Sequence, residues 1–361
     1  MMQHILITNL QLTIPGGTVS YVKDLSLFLV NKGFGVEVFT YKIGVVGEEM
    51  IEEGIHVVTQ LSDLKNRPDI IHAHHYPTAF EALNYFKDVP AIYFIHDKSS
   101  RFDTPLYHPN IICHAAVDYN CLDRYHDYPV SNQLTQKVIY NWVDTNRFKL
   151  KESSNKIPAR AVVFSNYATR DNHYQIIVEA CRQLNLPLDT IGAGMGNSLS
   201  HPEAVLANYD IVFAKAKAAM ESLAIGNAVV LCDFAGVGGM VQYADIDYLR
   251  KFNFGRKVLI HSYTVEKLIE EIKKYNVDDI NQTTKWIREN VSLEVIGKQL
   301  IDCYTQLIDE FNNRKKSSSD ISKIVFARAY YLKGYYFFTQ THLFKFLSGV
   351  KYFIKNKLGI N

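Results

Sequence analysis

The chain has 361 residues, 47% hydrophobic and 21% charged, with a formal charge of +2. That length and apolar content suit two globular domains with full cores, and the near-neutral balance gives no electrostatic basis for binding nucleic acid. Five scattered cysteines with no CxxC spacing predict reduced, buried thiols in a cytosolic protein.

The start runs from "MMQ" straight into the strand-like "HILITNL", with no basic n-region or cleavage site, so no secretory leader is predicted. No run of about 18 apolar residues predicts a spanning helix. "PGGT" is a tight loop opening a helix over 18–32, which Gly33 stops. "GVEVFT", "IHVVTQL", "DIIHAH" and "AIYFIHD" read as strands, the last two ending on polar residues, and "NIICHAAVD" and "KVIYNWVD" follow. Apolar runs alternating with helical patterns predict βαβ units and a parallel sheet.

A charged stretch, "TNRFKLKESSNKIPAR", interrupts the alternation and is predicted to be a linker. The pattern resumes with "AVVFSNY", a helix over 172–184, "LDTIGAG", "YDIVFAK", a helix from Lys215 to Gly226, "AVVLCD" and "KVLIHS". One long helix over 282–313 is predicted to close the second half. The predicted class is α/β, with two doubly wound parallel-sheet domains at 1–145 and 158–315, a linker at 146–157 and a tail at 316–361.

Ligands of doubly wound sheets bind outside the carboxyl ends of the strands, so the polar residues there are the candidates. Gly16 and Gly17 lie between a strand and a helix, where backbone N–H groups can approach a phosphate; the alternative is a plain turn. His72, His74 and His75 crowd one strand end, and His96 with Asp97 ends the next. Three close histidines invite a metal, but no carboxylate or thiol lies near them in sequence, so none is predicted. Lys215 and Lys217 occupy a helix's first turn, where the dipole disfavours cations unless an anion offsets them. Gly236, Gly238 and Gly239 either present amides to a ligand or make a turn.

"PGGTVSYVKDLSLFLVNKGFGVEVFT", "DIIHAHH", "VIYNWVDTNRF" and "MESLAIGNAVV" occur in one order and spacing that resembles the GT-B glycosyltransferases of family 4, over roughly residues 3–315. The resemblance implies a GT-B fold, a UDP- or GDP-linked sugar as donor, retention of anomeric configuration and no metal cofactor. It implies that His96 faces the donor sugar with Asp97 placed for a hydroxyl, and that Glu221 accepts both ribose hydroxyls. Gly16, Gly17, His74 and Asn141 would line the cleft, with Gly238 and Gly239 toward the donor. Asp144 more often braces this linker than touches substrate, and Trp142 replaces the usual glycine.

The chain also departs from that family. The usual second glutamate, eight residues before Glu221, falls at Phe213, and the usual Arg-x5-Lys phosphate clamp is replaced by "SNYATRDNHY". Arg170 with Lys215 or Lys217 is the expected substitute.

Residues 316–361 hold eight Lys or Arg against one Asp, and Leu343, Phe346, Leu347, Val350, Phe353 and Ile354 share one helical arc. A basic amphipathic tail predicts contact with an anionic membrane surface; the alternative is docking on the protein body. The combined expectation is a cytoplasmic glycosyltransferase, peripheral on the inner membrane face, acting on a lipid-linked or polysaccharide acceptor. The alternatives are a nucleotide-sugar epimerase of the same fold and a non-catalytic nucleotide-sugar-binding subunit.

Overall fold

The computed structural model describes residues 3–13, 16–126, 135–199, 201–313 and 323–341, with Phe344 and Ser348 beyond them. The first half contains β1 (His4–Asn9), α1 (Gly17–Asn31), β2 (Gly35–Thr40), α2 (Val45–Glu52), β3 (His56–Val58), β4 (Ile70–His74), α3 (Tyr76–Tyr85), β5 (Ala91–Ile95), β6 (Ile111–Ala116), α4 (Tyr119–His126) and β7 (Gln136–Val138). Its strands form one parallel sheet in the order β3-β2-β1-β4-β5-β6-β7. Sequences such as Ala91–Ile95 are apolar without alternation because a parallel strand is covered on both faces, and all five of those residues are buried.

The second half contains β8 (Ala161–Phe164), α5 (Tyr174–Gln183), β9 (Leu188–Ile191), α6 (Glu203–Leu206), β10 (Ile211–Ala214), α7 (Ala216–Ile225), β11 (Ala228–Asp233), β12 (Gly236–Met240), α8 (Ile246–Lys251), α9 (Val265–Ile272), α10 (Val277–Asn290), α11 (Leu293–Asn313) and α12 (Lys323–Thr339). The sheet order is β12-β11-β10-β8-β9, parallel except for β12. Two doubly wound units are thus present, as the alternation predicts. Gly192, after β9, has φ +153°, and a Cβ there would lie 2.0 Å from the Ser165 carbonyl, so this turn requires glycine.

The single long helix expected over 282–313 is two. Val291 and Ser292 leave the helical path, and the Ser292 hydroxyl accepts a hydrogen bond from Val295 N at 3.4 Å to start α11. The break redirects the chain. α10 packs against α7 in the second half, whereas Leu293, Ile296, Leu300 and Tyr304 of α11 join the core of the first.

Helix α12 returns to the first half as well. Val325, Ala329, Leu332 and Tyr336 recur at four, three and four residues and form its inner face. Tyr76 Oη donates to the Val325 carbonyl at 3.3 Å, and Lys333 Nζ pairs with Glu81 at 2.7 Å, both from α3. The segment 323–339 is therefore docked on the protein body. The apolar arc expected over 343–354 lies outside the described residues, Phe344 and Ser348 apart. Leu332→Ala should cost about 2–5 kcal/mol, the range for a buried leucine. Thermal denaturation of the full chain checks this.

Candidate functional site

The two sheets present the carboxyl ends of their strands to each other. On the first side, β4 ends at His74 and β5 is followed by His96 and Asp97. On the second, β8, β10 and β11 lead into Tyr167, Lys215 and Asp233–Phe234. The strand order reverses between β8 and β10, so Tyr167 and Lys215 flank the switch point where such sheets hold ligands.

His96 Nε2 lies 2.8 Å from His74 Nδ1, so one ring donates to the other. Burial, reinforced by His75, His72 and Lys217, holds His96 well below the usual histidine range, so it is neutral at pH 7. His74 is fully buried, and its Nε2 has no partner. Tyr21 closes this cluster from α1, with its ring centroid 4.6 Å from His96 and 4.1 Å from Trp142. His72 sits deeper, 2.5 Å from Tyr304 Oη, as a core histidine. Among the described residues no group of His, Cys, Asp or Glu could hold a metal ion.

Asp97 Oδ1 accepts from Ser99 N, Ser99 Oγ and Ser100 N at 2.6, 2.7 and 2.9 Å. Burial alone would raise its pKa, but these bonds and the charge of Arg256 across the cleft bring it below the ordinary carboxylate value. Asp97 is thus ionised and committed to shaping its own loop.

Across the cleft, the Asp233 carboxylate is fully buried and takes Lys215 Nζ at 2.5 Å and Arg256 Nε at 3.4 Å. Burial alone would raise Asp233, yet the bond from Lys215 and that from Ala235 N hold it low. Lys215 also lies 4.8 Å over the Tyr167 ring and Arg256 4.8 Å over Phe234. Two cations on one anion leave a positive charge beside two exposed rings at the switch point. Arg256 was not among the residues expected here. Its available signal was a cation placed just after "KFNFG".

Glu221, on the second turn of α7, is 9% exposed and makes no hydrogen bond. Burial pushes its carboxyl up to about 7; Lys217 and Arg147 oppose the rise, and Asp24 and Glu203 add to it. Lys217 itself pairs with Asp24 of α1 at 2.5 Å, so this cation fastens the two halves together. Arg147 pairs with Glu203 at 3.1 Å.

The remaining expected residues are placed as follows. Gly16 caps α1, and a Cβ on Gly17 would meet nothing within 4 Å, so the backbone there faces open space. Asn141 accepts from Arg250 through its carbonyl at 2.8 Å. Asp144 caps the turn at Asn146 and Arg147, a brace as expected. Arg170 is exposed, and its backbone carbonyl accepts from Gln175 Nε2 at 2.9 Å. The glycines at 236, 238 and 239 form no loop: they belong to edge strand β12, paired antiparallel with β11. A Cβ on Gly238 would lie 2.9 Å from the Val258 carbonyl, and Gly239 has φ +89°, so close packing requires glycine at the first and backbone conformation at the second. Phe213 is fully buried in β10, within the core of the second half.

No protein-family model matches the chain, and no curated protein matches it. Among solved structures it is similar to a glycosyltransferase from Rickettsia africae ESF-5, at 12% identity and TM-score 0.59 over 87% of this chain and 100% of that one. It is similar to the apo form of the lipopolysaccharide outer core galactosyltransferase WaaB, at 12% and 0.54 over 84% and 99%. The third is WaaG, a glycosyltransferase involved in lipopolysaccharide biosynthesis, at 12% and 0.50 over 83% and 99%. At such identity the likeness establishes the fold, which is the GT-B architecture.

Proposed function

We propose that this chain is a glycosyltransferase, moving a sugar with retention from a UDP- or GDP-linked donor to a lipid-linked or polysaccharide acceptor on the cytoplasmic side of a membrane. The observation that carries the reading is Glu221. A nearly buried carboxyl with no hydrogen bond, beside a positive helix start at a strand switch point, has the chemistry to accept a pair of ribose hydroxyls. The three similar structures, all glycosyltransferases by description, support the same reading.

Lys215 and Arg256 take the place of the missing clamp. A diphosphate arriving there meets two side-chain cations and the positive end of the α7 dipole. Opposite them, neutral His96 offers a hydrogen bond to the sugar or to the acceptor hydroxyl. Catalysis then rests on stabilising the leaving diphosphate and orienting the acceptor within a narrow cleft.

Two outcomes test this chemistry. Arg256→Ala should weaken nucleoside diphosphate binding by about 1–3 kcal/mol, the scale for a hydrogen bond to a charged group, and leave the bare nucleoside unaffected. Calorimetric titration of each ligand separates the two. Transfer of sugar should also survive EDTA, because the residues named supply the charge; loss in chelator with recovery on adding a divalent ion would replace this account with a metal-dependent one.

A further inference from the structure

Helix α12 carries an outer face that the fold covers only at its margins. Its inner side is packed on α3, but Ile324 and Tyr330 are 78% and 71% exposed, and Tyr331, Phe337, Phe338 and Phe326 are exposed too. Ile324, Tyr331 and Phe338 lie seven residues apart on one row, and Tyr330 and Phe337 on the next. Phe326 and Phe337 also touch the Phe80 and Tyr41 rings of the body, so the outermost apolar residues of this 17-residue helix are Ile324, Tyr330, Tyr331 and Phe338.

We propose that the outer face of α12 is a docking surface for an anionic lipid bilayer. Three observations select that occupant. From residue 321 to 361 the sequence has seven Lys or Arg and no Asp or Glu, three of them on α12 (Lys323, Arg328 and Lys333, the last paired with Glu81), a composition suited to anionic headgroups. A second copy of the chain would bring like charge against like. The exposed side chains are mainly Tyr and Phe, whose rings suit the boundary between headgroups and acyl chains. The helix is also held rigidly: Lys333 pairs with Glu81, and Arg328 Nη2 donates to Thr104 Oγ1 at 3.2 Å. A fixed aromatic face therefore needs no ordering when it meets a surface. None of the described helices is long and apolar enough to cross a membrane, so the mode proposed is contact with one leaflet.

This surface belongs to the half that presents His96, opposite Lys215 and Glu221. It would set the cleft beside the membrane whatever reaction the cleft performs, so the inference does not depend on the transferase reading.

The test is co-sedimentation of the full chain with vesicles of phosphatidylcholine alone and with phosphatidylglycerol added. The chain should bind the anionic vesicles, release in high salt and bind the neutral ones far more weakly. Tyr330→Ser with Tyr331→Ser, one residue from each row, should cut the bound fraction at least tenfold, and Ile324→Ser with Phe338→Ser, both on the first row, should do the same. Both variants replace exposed residues, so their melting temperatures should match the wild type. Failure of the wild type to bind, or unchanged binding by both variants, overturns the proposal. A dimer that both variants dissociate in analytical ultracentrifugation, with vesicle binding unchanged, assigns the face to a second copy instead.

Discussion

Glu221→Gln should stabilise the empty protein above pH 7 while weakening its hold on nucleotide. The ordinary glutamate value is 4.5 and burial pushes this carboxyl to about 7, so between those values the folded state keeps a proton that the unfolded chain has lost. Folding stability therefore falls as pH rises through that window. A rise of that size corresponds to roughly 3 kcal/mol at most, and the neutral amide removes it. Chemical denaturation at pH 5 and pH 8 should show the two proteins converging at the lower value and the variant ahead at the higher one. Nucleotide binding should move the opposite way. Ribose hydroxyls donate to a carboxylate, so wild-type affinity should climb as pH rises through 7, whereas the variant should bind about ten- to a hundredfold more weakly with little pH dependence. A destabilised variant, or one with unchanged nucleotide affinity, removes Glu221 from the site.

His96→Ala should lower kcat by ~10²–10³-fold, the scale for losing one preorganised hydrogen bond to a transition state. Affinity for the bare nucleoside diphosphate should stay the same, because His96 stands on the opposite half from Glu221, Lys215 and Arg256. The substitution leaves His74 Nδ1 without its 2.8 Å partner, so a modest fall in melting temperature accompanies it. Direct nucleotide titration beside steady-state kinetics distinguishes the roles. Parallel losses in both would place His96 in the nucleotide subsite.

Some of this site is written in the local pattern. Strands that end abruptly on His74, His96 or Lys215 announce themselves, because a parallel strand is apolar until it leaves the sheet. Glu221 stands out for a similar reason, as the single acid in an alanine-rich helix. The pairings are not local. Lys217 and Asp24 are 193 residues apart, and Asp233 meets Arg256 from a different element, so no periodicity relates them. Glycine runs are ambiguous for another reason: they mark turns and edge strands alike, and "GVGG" lies in strand β12. The break between α10 and α11 has no proline or glycine, only the capping role of Ser292, and that one residue decides which half the following helix covers.

The central claim is that the cleft binds a nucleotide sugar and releases its sugar. The most direct measurement is a thermal-shift screen of UDP- and GDP-linked sugars, followed by detection of free nucleoside diphosphate from whichever donor binds. The account predicts a raised melting midpoint with at least one donor, its loss in Glu221→Ala, and slow release of nucleoside diphosphate that an acceptor accelerates. No shift with any donor would contradict the site, and a shift without any release would make the chain a binding subunit rather than a transferase.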